Sequence, residues 1–140
     1  MKEVLLEIIG TQRIDNQKDK VEMTTVGTFE ESDSEYIIKY KEEQEPPSAP
    51  VDVCVTVSKS ENMVELTRSG AGQSCLIIER SKRNLCNYAT DYGDILMGIS
   101  GHSIDINNEE EKGSFYFSYD IDFNGAVASK NEVKMSYRNN

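Results

Sequence analysis

From Phe115 to Phe123 every odd position is large and apolar: Phe115, Phe117, Tyr119, Ile121, Phe123. The even positions between them are small or acidic, Tyr116 excepted. After Asn124-Gly125 the alternation resumes through Val127, Val133, Met135 and Tyr137. A period of two predicts extended strands with one buried and one solvated face. Asn-Gly between two such runs predicts a hairpin. A two-residue loop would set Ile121 opposite Ala128, odd against even, and so apolar against polar. The parity therefore predicts a three-residue loop, Phe123-Asn124-Gly125 with Gly125 left-handed, or a bulge further along. Either would bring Ile121 and Val127 to one face.

The same period recurs upstream. Lys2 to Ile14 predicts a strand, then Val21 to Glu30, with Gly27 in the apolar register where a sheet bends or bulges. Further strands follow at Glu35 to Glu43, Val51 to Val57, Met63 to Arg68, Cys75 to Arg80 and Asn84 to Tyr92. Ile95 to Ile99 and Ser103 to Asn107 read as separate short strands, with His102 in a turn between them. Gln44 to Pro50, with Pro46, Pro47 and Pro50, predicts a loop. No segment carries apolar spacing of three and four with helix caps. The expected fold is all-β and antiparallel, mostly up-and-down, with about ten strand-like runs. Open sheet edges aggregate, so closure into a barrel is favoured over a β-sandwich, the alternative. Phe115, Phe117, Tyr119, Ile121, Val53, Val55, Val57, Met23 and Ile38 are expected to face inward.

A chain of 140 residues is expected to form one domain with a single core. Its net charge of −10 argues against a nucleic-acid partner. The one basic cluster, Arg80, Lys82 and Arg83, reads as a solvated turn. Three cysteines, Cys54, Cys75 and Cys86, form no disulfide framework and suit a reducing, cytoplasmic setting. Glu3 and Glu7 interrupt the only signal-like stretch, and no run reaches the length of a membrane span.

Little in the sequence announces a reaction. His102 is the only imidazole, and no metal-ligand set or phosphate-cradling loop is present. The runs Glu109-Glu110-Glu111 and Glu42-Glu43-Gln44-Glu45 read as solvated charge, and Asp120 and Asp122 as outward-facing solubility residues. No catalytic residue, cofactor or metal is therefore assigned, and an enzyme is not expected. Two features point to a ligand. Arg68 continues the apolar stripe of Val64 and Leu66, as an anion anchor in a cavity would. Tyr36, Tyr40, Tyr88, Tyr92 and Tyr119 offer apolar rings with polar tips for a pocket wall. Arg68, Tyr88 and Tyr92 are expected to border one cavity near a barrel mouth. The plain alternative is a rim arginine and tyrosines in ordinary barrel packing.

Three segments carry a family likeness. Arg68-Ser69-Gly70 follows a strand, Tyr88-Ala89-Thr90-Asp91-Tyr92-Gly93 leads into another, and Phe117-Ser118-Tyr119-Asp120-Ile121-Asp122-Phe123-Asn124-Gly125 opens the last hairpin. In order and spacing they resemble the YwiB-like family of small bacterial proteins, a domain of unknown function. The likeness spans the whole chain, the Pro-rich loop aside. It implies a calycin-like (lipocalin-like) β-barrel in a bacterial cytosol, and it brings no catalytic residues. The expected role is binding of a small, mostly apolar or amphipathic ligand, with an anionic headgroup at Arg68. The alternative is a protein-interaction or regulatory module with a filled barrel. Neither a protein partner nor a homodimer is specified.

Overall fold

The computed structural model describes residues 2–42, 50–70, 73–90 and 92–140, with the side chains of 73 and 88–90 left out. The expected Pro-rich loop lies, Pro50 apart, outside the described residues. Ten antiparallel strands follow in chain order: β1 (Lys2–Ile14), β2 (Gln17–Glu31), β3 (Glu35–Glu42), β4 (Val51–Ser58), β5 (Met63–Ser69), β6 (Gln73–Glu79), β7 (Arg83–Thr90), β8 (Gly93–Asn108), β9 (Lys112–Phe123) and β10 (Ala126–Asn139). Each strand pairs with its sequence neighbours, and β1 pairs with β10, so the sheet closes into a barrel. Closure leaves no helix among the described residues and fulfils the all-β, up-and-down expectation.

The walls are unequal. β8, β9, β10, β1 and β2 run 12 to 16 residues, whereas β3 to β7 run 7 or 8. The seam between β2 and β3 has only four residue pairs, Thr28–Lys39 to Glu31–Tyr36. Gly27 adjoins that seam. A Cβ there would stand 2.5 Å from the Lys39 carbonyl oxygen and 2.7 Å from Leu6 Cδ1. The missing side chain lets β3 approach, which is the physical content of a glycine in an apolar register.

Inside the barrel, Val4, Leu6, Ile38, Val55, Val57, Ile99, Phe115, Phe117 and Met135 are almost fully buried. Of the expected inward residues, Ile121 and Met23 are half-buried against this core. Phe29, Tyr36, Phe115 and Tyr137 fill the end marked by the β2–β3 and β8–β9 turns, the base. Phe29 stacks on Tyr137 at 4.4 Å between centroids, and Tyr36 tilts on Phe115 at 5.5 Å. Aromatic pairs at such spacing stabilise beyond the area they bury. The opposite end, where β1 turns into β2 and β9 into β10, is the mouth.

Three local expectations are corrected. The last hairpin turns on two residues, Asn124 and Gly125, both with positive φ (54° and 89°), so Phe123 pairs with Ala126. Parity is restored by a bulge between Val127 and Ser129. Val127 precedes that bulge, pairs with Asp122 and is exposed, so it does not share the face of Ile121. Second, Ile95 to Asn107 is one strand, not two. It carries an irregularity between Gly101 and Ile104, and His102 sits in it rather than in a turn.

Third, the basic cluster is exposed at the β6–β7 turn, as expected, but its side chains are tied down. Arg80 Nη2 donates to the Ile104 carbonyl at 2.6 Å, and Lys82 pairs with Glu79 at 3.0 Å. Arg83 forks onto Asp122 through Nε at 2.9 Å and Nη2 at 2.7 Å, and Gly125 N–H donates to Asp122 at 3.0 Å. Asp122 faces outward but is buried under this pair, so it is no solubility residue. Gly98 makes the room, since a side chain there would run into both partners.

Two outcomes are expected. Gly27→Ala should cost about 1–3 kcal/mol by overpacking the seam, read from the denaturant midpoint. An unchanged midpoint would show a slack seam. The Arg83 hydrogen bonds, with Gly125 N–H, hold the Asp122 carboxyl below its ordinary range. A depressed folded pKa gives stability that is present above the unfolded value, about 3.9, and is lost as pH falls through the folded one. Asp122→Asn should therefore flatten the acid limb of stability against pH. Parallel limbs for the variant and wild type would contradict it.

Candidate functional site: the barrel mouth

The inward row of β1 runs Val4, Leu6, Ile8, Gly10, Gln12, Ile14 towards the mouth, and on β2 it pairs with Gly27, Thr25, Met23, Val21, Asp19 and Gln17. The core residues sit at the start of this row. Near its end the packing stops, and no atom beyond its chain neighbours lies within 4 Å of where a Gly10 Cβ would be. A cavity of about 430 Å³ opens at this end. That lies within the range of small-molecule sites, roughly 300–1,000 Å³. Its wall is mainly apolar: Leu66, Leu76, Ile95, Met97, Ile121 and Phe123, with Ile14 and Ala128. Its polar groups are Gln12, Arg68, Ser74 and Ser129. Ile14, Ile95 and Phe123 are also partly exposed, so the rim itself is apolar.

Arg68 pairs in register with Val53 on one side and Ser74 on the other, which puts it on the inward row. Its Nη2 donates to Glu42 Oε1 at 3.0 Å. The same nitrogen stands 3.0 Å from Oε2, which is buried and has no hydrogen-bond partner. Tyr40 and Tyr119 flank this pair, and both are about nine-tenths buried. Burial pushes the Tyr40 hydroxyl up to about 12, helped by the Glu42 charge and opposed by Arg68. Burial also raises the Tyr119 hydroxyl, with Arg68 again opposing. One guanidinium thus acts electrostatically on two buried phenols.

Arg68, Tyr40 and Tyr119 are therefore gathered in one neighbourhood. Tyr36 lies elsewhere, stacked on Phe29 at the base with the Lys59 ammonium 5.1 Å from its ring centre. Tyr92 is fully exposed beyond the end of β7 and does not line the cavity. The backbone of Tyr88 is in register with Ser74 and Ile95, both cavity residues, while its side chain lies outside the described residues. His102 Nε2 stands 3.0 Å from Asp120, and neither lines the cavity. Among the described residues no group of three His, Cys, Asp or Glu side chains is placed to hold a metal ion.

Sequence reasoning missed Glu42, read as solvated charge. Its signal was present: Tyr36, Ile38, Tyr40 and Glu42 share one parity, so Glu42 faces inward with them. It also missed Ser129, because the bulge at Val127/Ser129 shifts the parity of the residues before it.

An alkaline titration probes the buried phenols. Tyr40 and Tyr137 both keep their protons to about 12, and burial is the main cause in each. A folded pKa above the unfolded value, about 10, gives stability that is full below that value and is lost as pH rises through the folded one. Stability should fall steeply between those two values. Tyr40→Phe should make that limb shallower in denaturant titrations, and an unchanged limb would place Tyr40 in water.

Comparison with known proteins agrees with this architecture. The crystal structure of the ywiB protein from Bacillus subtilis is similar, with a TM-score of 0.85 and 21% identity over 99% of this chain and 92% of that one. At that identity the likeness speaks for the fold. No curated protein matches the chain. No helix of the described residues is long and apolar enough to cross a membrane. The model of the family described as "Domain of unknown function (DUF1934)" matches residues 6–135, and the chain belongs to that family.

Proposed function

We propose that the protein binds a small, mostly apolar ligand in the barrel mouth, with the ligand's polar end at Arg68. The observation that carries this reading is an open, apolar-walled cavity with a single guanidinium in its wall. Arginine offers five N–H donors, and among the described residues Glu42 engages only Nη2. A carboxylate or similar anionic headgroup can take the remaining fork. Glu42 offsets the guanidinium's charge, so the apolar wall supplies much of the affinity. Aliphatic side chains, hydroxyls and one guanidinium suit binding rather than catalysis. A calycin-like reading of the barrel and a cytoplasmic setting accord with it, the latter through three free thiols.

A protein-interaction module is the second reading. The exposed apolar rim at Ile14, Ile95 and Phe123 favours it. Native mass spectrometry of protein purified from its own source separates the two. The ligand reading expects a small co-purifying mass that is depleted in Arg68→Ala. Arg68→Ala leaves the mostly buried Glu42 carboxylate without its counter-charge, so the variant's thermal midpoint is measured beside its ligand content. Wild-type protein that carries no small mass overturns the ligand reading. Equal ligand content in Arg68→Ala removes Arg68 from it.

A further inference from the structure

β2 pairs with β1 along thirteen residue pairs but with β3 along only four. From Gln17 to Val26 its second edge has no strand partner among the described residues. An unpaired edge presents a row of backbone donors and acceptors to any strand that fits. Val21, midway along it, is 67% exposed although it belongs to the inward row. We propose that this edge pairs two copies of the chain, antiparallel, about a two-fold axis through Val21.

Strand geometry restricts where the axis can lie. Backbone N–H and C=O groups of alternate residues point to the same edge of a strand. When a strand pairs with its own copy, both edges offer the same parity. The axis must then pass through a residue, not between two. Through Lys18, Asp19, Lys20 or Glu22 it would set like charges directly opposite, which destabilises a sheet. Through Met23 or Thr24 it would leave Lys20 and Glu22 facing uncharged residues. Through Val21 it sets Val21 against its own copy, Lys20 against the partner's Glu22, and Glu22 against the partner's Lys20. Lys20 and Glu22 already attract each other within one chain, with Nζ 2.9 Å from Oε1, both largely exposed. The register therefore exchanges one intrachain pair in each copy for two across the interface, and it covers the exposed valine.

The surrounding charge agrees. The chain carries −10, which opposes self-association over most of its surface. Along Gln17 to Thr24, Lys18 and Lys20 offset Asp19 and Glu22, so this edge is neutral. The interface is isologous and closes at two copies, as a two-fold axis requires. It is independent of any ligand in the mouth.

Sedimentation of the full chain tests the proposal, with circular dichroism confirming that each variant folds. Wild type should be a dimer that tightens with added salt, because salt screens the net repulsion. Lys20→Glu and Glu22→Lys should each weaken it roughly tenfold or more, by placing like charges opposite one another twice per dimer. The double exchange, Lys20→Glu with Glu22→Lys, keeps the composition and should restore the dimer. A wild type that stays monomeric at the highest soluble concentration overturns the proposal. So does a dimer that neither single variant weakens, or one that the exchange fails to restore.

Discussion

The four-pair seam between β2 and β3 is the constraint on which the rest of the molecule depends. A barrel has no free edges only if every strand meets a neighbour on both sides. Here a long wall must meet a short one, and Gly27 makes the meeting possible by leaving space for the Lys39 carbonyl and the Leu6 side chain. The mismatch in wall height then has two consequences. At the base β2 and β3 match in height, and Phe29, Tyr36, Phe115 and Tyr137 pack against one another. At the mouth β1, β2, β9 and β10 rise past the short wall, so their inward rows lose packing partners. The cavity, and the edge of β2 left without a strand partner among the described residues, are both products of that overhang.

Irregularities in two strands keep the apolar rows facing the core. Side chains alternate strictly along a strand, so a displacement of one residue inverts every face beyond it. The bulge between Val127 and Ser129 absorbs the even loop at Asn124-Gly125 and returns Val133, Met135 and Tyr137 to the interior. In β8 the shift between Gly101 and Ile104 lets Ile99 and Ile104, of opposite parity, both be buried. Asp122 ties the first region together, holding Arg83 with one carboxylate and capping the turn through Gly125 N–H.

The fold was legible because burial in a sheet depends on parity, and parity is written in the sequence. Val53, Val55, Val57, Phe115 and Phe117 announce their face without any tertiary knowledge. The bulge was foreseeable in kind, since odd and even runs had to be reconciled, but not in place. Its position depends on which residue tolerates being unpaired. The site was legible only in part. Arg68 betrayed itself as a charge in an apolar stripe, whereas Glu42, of the same parity on β3, was hidden inside an acidic run. Tyr92 looked equivalent to Tyr40 because composition does not record where a strand ends. Beyond the end of β7 there is no inward face left for Tyr92 to occupy.

The same dependence on parity explains how little sequence this architecture needs. The Bacillus subtilis protein superposes closely at 21% identity. Any large apolar residue of the right volume can hold an inward position, because cores tolerate substitution when pattern and volume are kept. Special demands fall at places such as the missing side chains of Gly27, Gly98, Gly101 and Gly113, the left-handed pair Asn124-Gly125, and the Asp122–Arg83 fork. All of these sit at seams and turns, none in the cavity wall. The mouth is therefore the part of this molecule that the fold constrains least. There a charged pair such as Arg68–Glu42 can reflect what is bound rather than what must be packed. The fold therefore leaves the chemistry of this mouth to be read from its own wall, not from a shared architecture.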